Sequence, residues 1–123
     1  MLKFICIFFL ASFLFLSLPS YTIKYTRPYT IDDYIIVYAN EYKVSPKTIR
    51  RVLKAESQLN CNPKGHNDGG LARGIAQFHE QTFDTFSKEL GEKLDYNSCS
   101  DQIKLMAFAF SKGERYRRHW TTY

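Results

Sequence analysis

The chain has 123 residues and a formal net charge of +5, from 17 Lys and Arg against 12 Asp and Glu. This length allows one domain. The basic residues are spread along the chain without a recognition motif, which argues against nucleic-acid binding, whereas a modest positive excess suits anionic surfaces such as cell-wall polymers.

The first twenty residues predict a secretory signal peptide. Lys3 precedes an uncharged apolar run from Phe4 to Leu18, and Pro19 and Ser20 follow it. This order is typical of an export signal, with cleavage expected after Ser20. A retained anchor is the alternative, but about 15 apolar residues are fewer than the roughly 20 that cross a hydrocarbon core. We therefore expect a secreted or cell-envelope protein without a stable membrane span once mature, divided into a signal (1–20), an irregular lead-in (21–29) and one domain (30–123).

Two cysteines, Cys61 and Cys99, remain once Cys6 leaves with the signal. In an exported domain of about a hundred residues, two cysteines predict one disulfide. Such a bridge would stabilise the fold by roughly 3 to 4 kcal/mol. Two unpaired thiols are the alternative.

Helical patterns follow the lead-in. A first helix is predicted to begin at a Thr30 cap, with Asp33 completing a variant of the capping box. A second helix is predicted to begin at Ser45-Pro46, because the hydroxyl can cap free backbone donors and proline is tolerated in the first turn. Residues 60–73 contain one proline and three glycines beside Asn and Asp, which is typical of a loop.

Two further helices are predicted after this loop. The third runs from about His79 to Leu90, with Phe83 and Phe86 on its inner face, and the fourth begins near Ser100-Asp101. The tail, residues 114–123, is basic and aromatic. No alternating strand pattern of useful length is present, so the predicted fold class is mainly α.

Glu56 continues the apolar face of the second helix. It follows Leu53 by three residues and Val52 by four, so the three side chains share one side. Apolar surroundings raise the pKa of a carboxyl group and let it keep its proton near neutral pH. Such an acid can protonate the bridging oxygen of a glycosidic bond. A surface Glu near a helix end is the alternative.

The residues around Glu56 resemble the lysozyme-like lytic transglycosylases, which include soluble lytic transglycosylases and goose-type lysozymes. Glu56-Ser57 followed by Asn62-Pro63 is similar to the first motif of that family. Gly74-Ile75-Ala76-Gln77-Phe78 followed by Thr82 is similar to the second motif. The motifs occur in the family order, and the resemblance covers about residues 45 to 112.

The resemblance implies a lysozyme-like helical fold and cleavage of peptidoglycan strands without a cofactor or metal. Glu56 would act as the sole acid and then as the base, breaking the bond between N-acetylmuramic acid and N-acetylglucosamine and leaving a 1,6-anhydro end. We also expect a monomer. Substrate contacts are expected from Ser57, Gly74, Gln77, Phe78 and Tyr116.

One departure from the family and one candidate second acid keep other functions open. Family members have a Tyr near the acid on the late helix, where this chain has Phe108, and Tyr116 is the candidate replacement. Hydrolysis would need a second carboxylate roughly 5 to 9.5 Å from the first, and Asp68, whose surroundings are more typical of a turn, is the only candidate. The alternatives are a hydrolytic lysozyme, a catalytically silent peptidoglycan-binding module and a membrane-active domain.

Metal binding is not expected. A zinc-protease helix would need a second His where this chain has Phe83. The three histidines, His66, His79 and His119, are far apart in the sequence.

Four basic residues lie near the C-terminus: Lys112, Arg115, Arg117 and Arg118. They could bind an anionic wall strand or form a solvated helix end.

Overall fold

The computed structural model describes residues 27–65 and 69–120. Within them lie five α-helices and one antiparallel hairpin. The helices are Ile31–Glu41 (α1), Pro46–Ser57 (α2), Glu80–Leu90 (α3), Cys99–Ser111 (α4) and Glu114–Arg117 (α5), and the strands are Ala72–Arg73 (β1) and Phe78–His79 (β2). The predicted mainly helical class is confirmed.

The predicted signal peptide, residues 1–20, lies outside the described residues, as does most of the lead-in at 21–29. The described part of the lead-in, residues 27–29, contains neither helix nor strand. No helix in the described part of the chain is long and apolar enough to span a bilayer. The signal peptide and the domain boundaries stay predictions.

Both N-terminal helices begin at the residues that the sequence predicts. The Thr30 hydroxyl accepts a hydrogen bond from the Asp33 amide, and the Asp33 carboxylate accepts one from the Thr30 amide at 2.7 Å. Hydrogen bonds from the Arg27 guanidinium and from Thr30 hold the pKa of Asp33 well below its ordinary value. Ser45 caps α2 through the Thr48 amide, with proline in the first turn.

Helix α4 forms the centre of the core. Helices α1, α3 and α5 pack against it, and α1 also packs against α2. The Tyr38 and Ser100 hydroxyls, 2.8 Å apart, join α1 to the first turn of α4. From α2, the fully buried residues Ile49, Val52 and Leu53 enter the same core, as their spacing predicts.

The later elements differ from the predictions mainly at their ends. Helix α3 begins at Glu80, with Phe83 and Phe86 buried inside. Helix α4 begins at Cys99 because Ser98 caps it by accepting a hydrogen bond from the Asp101 amide. The hairpin and α5 were not predicted, since strands of two residues and a helix of four are too short to produce a hydrophobic period.

A disulfide joins Cys61 to Cys99 and confirms the predicted pairing. The two residues lie 38 positions apart in the sequence, and their Cα atoms are 5.4 Å apart. The bridge links the loop after α2 to the first residue of α4. The hairpin and α3 therefore lie within a covalently closed segment.

Candidate active site

A tight turn, residues 74–77, joins β1 to β2. In this hairpin Ala72 pairs with His79, and Arg73 pairs with Phe78. Gly74 has a positive φ of 79°, which favours glycine. A Cβ placed there would lie 2.3 Å from Nε2 of Gln102. Backbone conformation and space therefore both require glycine at this position.

The buried side chain of Gln102, on α4, fixes the 74–77 turn. Its Oε1 accepts a hydrogen bond from the Ala76 amide at 3.0 Å. Its Nε2 donates to the carbonyl oxygens of Arg73 at 3.2 Å and Tyr96 at 2.8 Å. The sequence does not predict this role, because Gln102 follows Ser100 and Asp101 in a polar first turn, where a glutamine is ordinarily exposed.

Two further side chains hold the same turn from other sides. The indole Nε1 of Trp120 donates to the Ala76 carbonyl at 2.8 Å. The Ser57 hydroxyl donates to the Ile75 carbonyl at 2.7 Å and also lies 3.1 Å from the Leu53 carbonyl. The turn is therefore bound to α2, to α4 and to Trp120, which lies three residues after the end of α5.

Gln77 connects the 74–77 turn to the long loop after α2. Its Nε2 donates to the carbonyl oxygens of Gly65 at 3.1 Å and Gly74 at 2.8 Å. Its φ is +51°, in the left-handed region, where a residue other than glycine costs roughly 1 kcal/mol. The amide contacts give a physical reason for glutamine rather than glycine here.

Glu56 and Gln77 line one cavity of about 400 Å³, which we call the Glu56 cleft. Glu56 is half-buried at the C-terminal end of α2. The volume falls in the range of roughly 300 to 1,000 Å³ that is usual for small-ligand sites. The other lining residues are Ala72, Phe78, His79, Thr82, Arg118, His119 and Trp120.

Phe78, predicted to contact substrate, lines the Glu56 cleft with very little of its ring exposed. Only 2% of the residue is accessible, and the ring packs edge-on against Phe83, Phe86 and Trp120. Its carbonyl oxygen also accepts a hydrogen bond from the Tyr96 hydroxyl. The Phe78 ring therefore packs in the apolar core under the cleft and offers little surface for contact with a substrate.

Ser57 and Gly74, also predicted to contact substrate, stabilise the conformation of the 74–77 turn. The Ser57 hydroxyl bonds to the turn backbone, and the space beside the Gly74 Cα is filled by Gln102. Neither residue is among those that line the Glu56 cleft. Their direct contact with a sugar stays a prediction.

Tyr116 lines a neighbouring cavity of about 270 Å³, which shares Thr82 and His119 with the Glu56 cleft. Its hydroxyl donates to the Glu89 carboxylate at 2.5 Å, and this hydrogen bond raises the pKa of Tyr116. The fold therefore does not bring this hydroxyl into the Glu56 cleft. Phe108 lies against Tyr42, with ring centroids 5.7 Å apart, and does not line the cleft either.

His79 and His119, far apart in the sequence, line the same cleft. Burial lowers the pKa of His119, and the charges of His79 and Arg118 lower it further. No three His, Cys, Asp or Glu side chains in the described part of the chain are grouped to hold a metal ion. His66 and Asp68, considered above for metal binding and hydrolysis, lie outside the described residues.

The sequence of this chain matches a known protein family. A family model described as the transglycosylase SLT domain matches residues 33–120. Comparisons with curated proteins and with solved structures find no match. The matched segment covers more than half of the chain and includes Glu56, the 74–77 turn and Trp120. This chain belongs to the transglycosylase SLT domain family.

Proposed function

We propose that the protein is a lytic transglycosylase that cleaves the glycan strands of peptidoglycan. The observation that carries the proposal is the position of Glu56, half-buried in a 400 Å³ cleft that Gln77 also lines. The family match supports glycan cleavage in general. The finer mechanism that we propose is the one that the family resemblance implies for Glu56.

Glu56 would enter the reaction as a protonated acid. Its carboxyl proton passes to the oxygen that links N-acetylmuramic acid to N-acetylglucosamine, and the C1–O bond of the muramyl unit breaks as oxocarbenium character develops. The Glu56 carboxylate then takes the proton of the muramyl C6 hydroxyl, whose oxygen bonds to C1. A 1,6-anhydro ring and a free N-acetylglucosamine hydroxyl result, and no water is consumed.

The surroundings of Glu56 suit this use of one carboxyl group. Backbone groups of the 74–77 turn are fixed by Ser57, Gln102 and Trp120 before any substrate binds. Because the turn is held in this way, the position of Gln77 is set before a substrate arrives and needs little reorganisation during the reaction. Gln77 is the side chain of the turn that lines the cleft, and we propose that it positions the sugar. The expected rise in the pKa of Glu56 stays a prediction.

The substrate implies where the enzyme acts. Peptidoglycan lies outside the cytoplasm, so we propose action in the cell envelope or after secretion, as a monomer, in agreement with the predicted signal peptide. Partial burial of an acid beside apolar Phe78 and Trp120 suits a reaction that proceeds without water.

Digestion of purified peptidoglycan by wild type and Glu56→Gln tests the proposal. Wild type should release anhydro-ended fragments, lighter by one water than reducing ends, and the variant should lose at least about 100-fold in rate because the acid is gone. Glu41→Gln is the matched control, an exposed acid at the end of α1. Full activity of Glu56→Gln would refute the proposal.

The same digestion separates the alternatives. Reducing ends instead of anhydro ends would identify a hydrolytic lysozyme. Wall material that is bound but left intact by wild type would identify a silent binding module. Leakage from lipid vesicles that persists in Glu56→Gln would identify a membrane-active domain.

A further inference from the structure

The basic residues near the C-terminus have distinct positions. Arg117 donates from Nε and Nη2 to the Phe110 carbonyl at 3.0 and 2.8 Å, so its guanidinium fastens α5 to α4. The guanidinium of Arg115 lies over the ring of Tyr116, and Lys112 lies over the ring of Phe108. Only Arg118 lines the Glu56 cleft.

Arg118 brings an uncompensated positive charge to this cleft. Within residues 27–65 and 69–120, its guanidinium has no hydrogen-bond or ion-pair partner. Among the residues that the structure describes, Glu56 is the only one with a carboxyl group that lines the cleft. In the proposed reaction Glu56 starts neutral, whereas a guanidinium is always charged in proteins, so the resting cleft is positive.

A positive cleft is not required to bind a neutral polymer of N-acetylated sugars. Peptidoglycan differs from such a polymer in carrying carboxylates, on the lactyl group of muramic acid or on its peptide. Guanidinium groups bind carboxylates through two parallel hydrogen bonds, which supply both affinity and orientation.

We propose that Arg118 forms a carboxylate subsite in the Glu56 cleft and selects glycan strands that carry carboxylates over neutral strands with the same backbone. This inference rests on the proposed function. It assigns Arg118 to substrate selection and leaves the proton transfers to Glu56. The carboxylate belongs either to the lactyl group or to the peptide, and binding of peptide-free strands distinguishes the two.

Binding of soluble glycan strands tests the subsite without requiring cleavage. The single Trp lines the cleft, so its fluorescence reports binding. Three ligands are compared: strands with intact peptides, strands stripped of peptides so that only the lactyl carboxylate remains, and strands whose carboxylates are converted to amides. Wild type should bind one or both acidic ligands roughly 10- to 100-fold more tightly than the amidated strands.

Arg118→Gln should lose this preference while still binding amidated strands as wild type does. Arg51→Gln, which removes the same charge from the exposed face of α2, should keep it. Arg118→Lys retains the charge without the paired hydrogen bonds and should give an intermediate preference. If Arg118→Gln does not fold, Arg118→Lys decides, because a preference equal to that of wild type would overturn the inference.

Equal wild-type binding of acidic and amidated strands would overturn the inference, as would an Arg118→Gln variant that retains the preference. A failure of the proposed function gives a different result. In that case Glu56→Gln and wild type would show the same cleavage, or the same lack of it, whatever the binding preference.

Discussion

The Ser57 hydroxyl donates a hydrogen bond of 2.7 Å to the carbonyl oxygen of Ile75. Ser57 directly follows Glu56 at the end of α2, and Ile75 lies two residues before Gln77. This bond therefore connects the end of the helix that carries the proposed acid to the turn that carries the proposed substrate amide. Neither Ser57 nor Ile75 lines the cleft, so the bond acts on Glu56 and Gln77 through the backbone.

Removal of this hydroxyl in Ser57→Ala should lower both activity and stability. Loss of one hydrogen bond costs about 1 kcal/mol in free energy of unfolding, and a displaced acid lowers kcat/KM by roughly tenfold or more. Ser111→Ala is the matched control, since the Ser111 hydroxyl also bonds to a backbone carbonyl, that of Phe108. Urea unfolding and wall-digestion rates would measure both effects. A similar loss of activity in the two variants would contradict a specific role for Ser57.

Gly74→Ala should be more destabilising than Gly91→Ala. Both glycines have a φ of +79°, so both substitutions have a similar backbone cost of about 1 kcal/mol. A Cβ at Gly91 meets nothing within 4 Å, whereas a Cβ at Gly74 overlaps the Gln102 amide. Steric overlap of this kind adds roughly 1 to 3 kcal/mol, measurable by chemical denaturation of the two variants side by side. Equal destabilisation would show that the overlap is relieved at no cost.

Reduction of the Cys61–Cys99 disulfide should lower the free energy of unfolding by about 4 kcal/mol. The estimate follows from the entropy of closing a loop across 38 residues in the unfolded chain. Urea unfolding with and without reductant measures it, and the double variant Cys61→Ser, Cys99→Ser should match the reduced wild type and not respond to reductant. If reductant also lowered the free energy of unfolding of the double variant, the loss in wild type would have a cause other than reduction of this disulfide.

The free energy of unfolding should fall as the pH drops through 6.5, the ordinary pKa of a histidine such as His119 in the unfolded chain. In the folded state, burial and the nearby charges of His79 and Arg118 lower the pKa of His119. The unfolded chain then binds more protons than the folded chain, so acidification favours unfolding. Above the unfolded pKa, this group contributes no pH dependence.

Urea unfolding of wild type and His119→Gln between pH 8 and pH 5, a range chosen to span roughly the titration of an ordinary histidine, measures this difference. Wild type should lose more stability than the variant. His79→Gln, which removes one of the nearby charges, should give an intermediate loss. Identical pH profiles for wild type and His119→Gln would show that His119 has the same pKa in both states.

Local sequence signals located the helices well because caps and periodic apolar residues act within a few positions. Thr30 and Ser45 begin α1 and α2 as predicted, and both use their hydroxyl groups for capping. The short hairpin was not predicted, since its strands are held by tertiary hydrogen bonds from Gln102 more than by their own composition. The ends of an element that depend on contacts between residues distant in the sequence cannot be predicted from a local sequence pattern.

The sequence alone determined the helical class and the disulfide pairing, because each depends on spacing or on the number of available partners. It also predicted that Glu56 continues the apolar face of α2, where the structure has it half-buried. The tertiary structure decided which side chains reach the Glu56 cleft. It placed Arg118 and the two histidines there and directed the Tyr116 hydroxyl to Glu89. Those positions depend on how α3, α4 and α5 pack together, which no periodicity within one segment specifies.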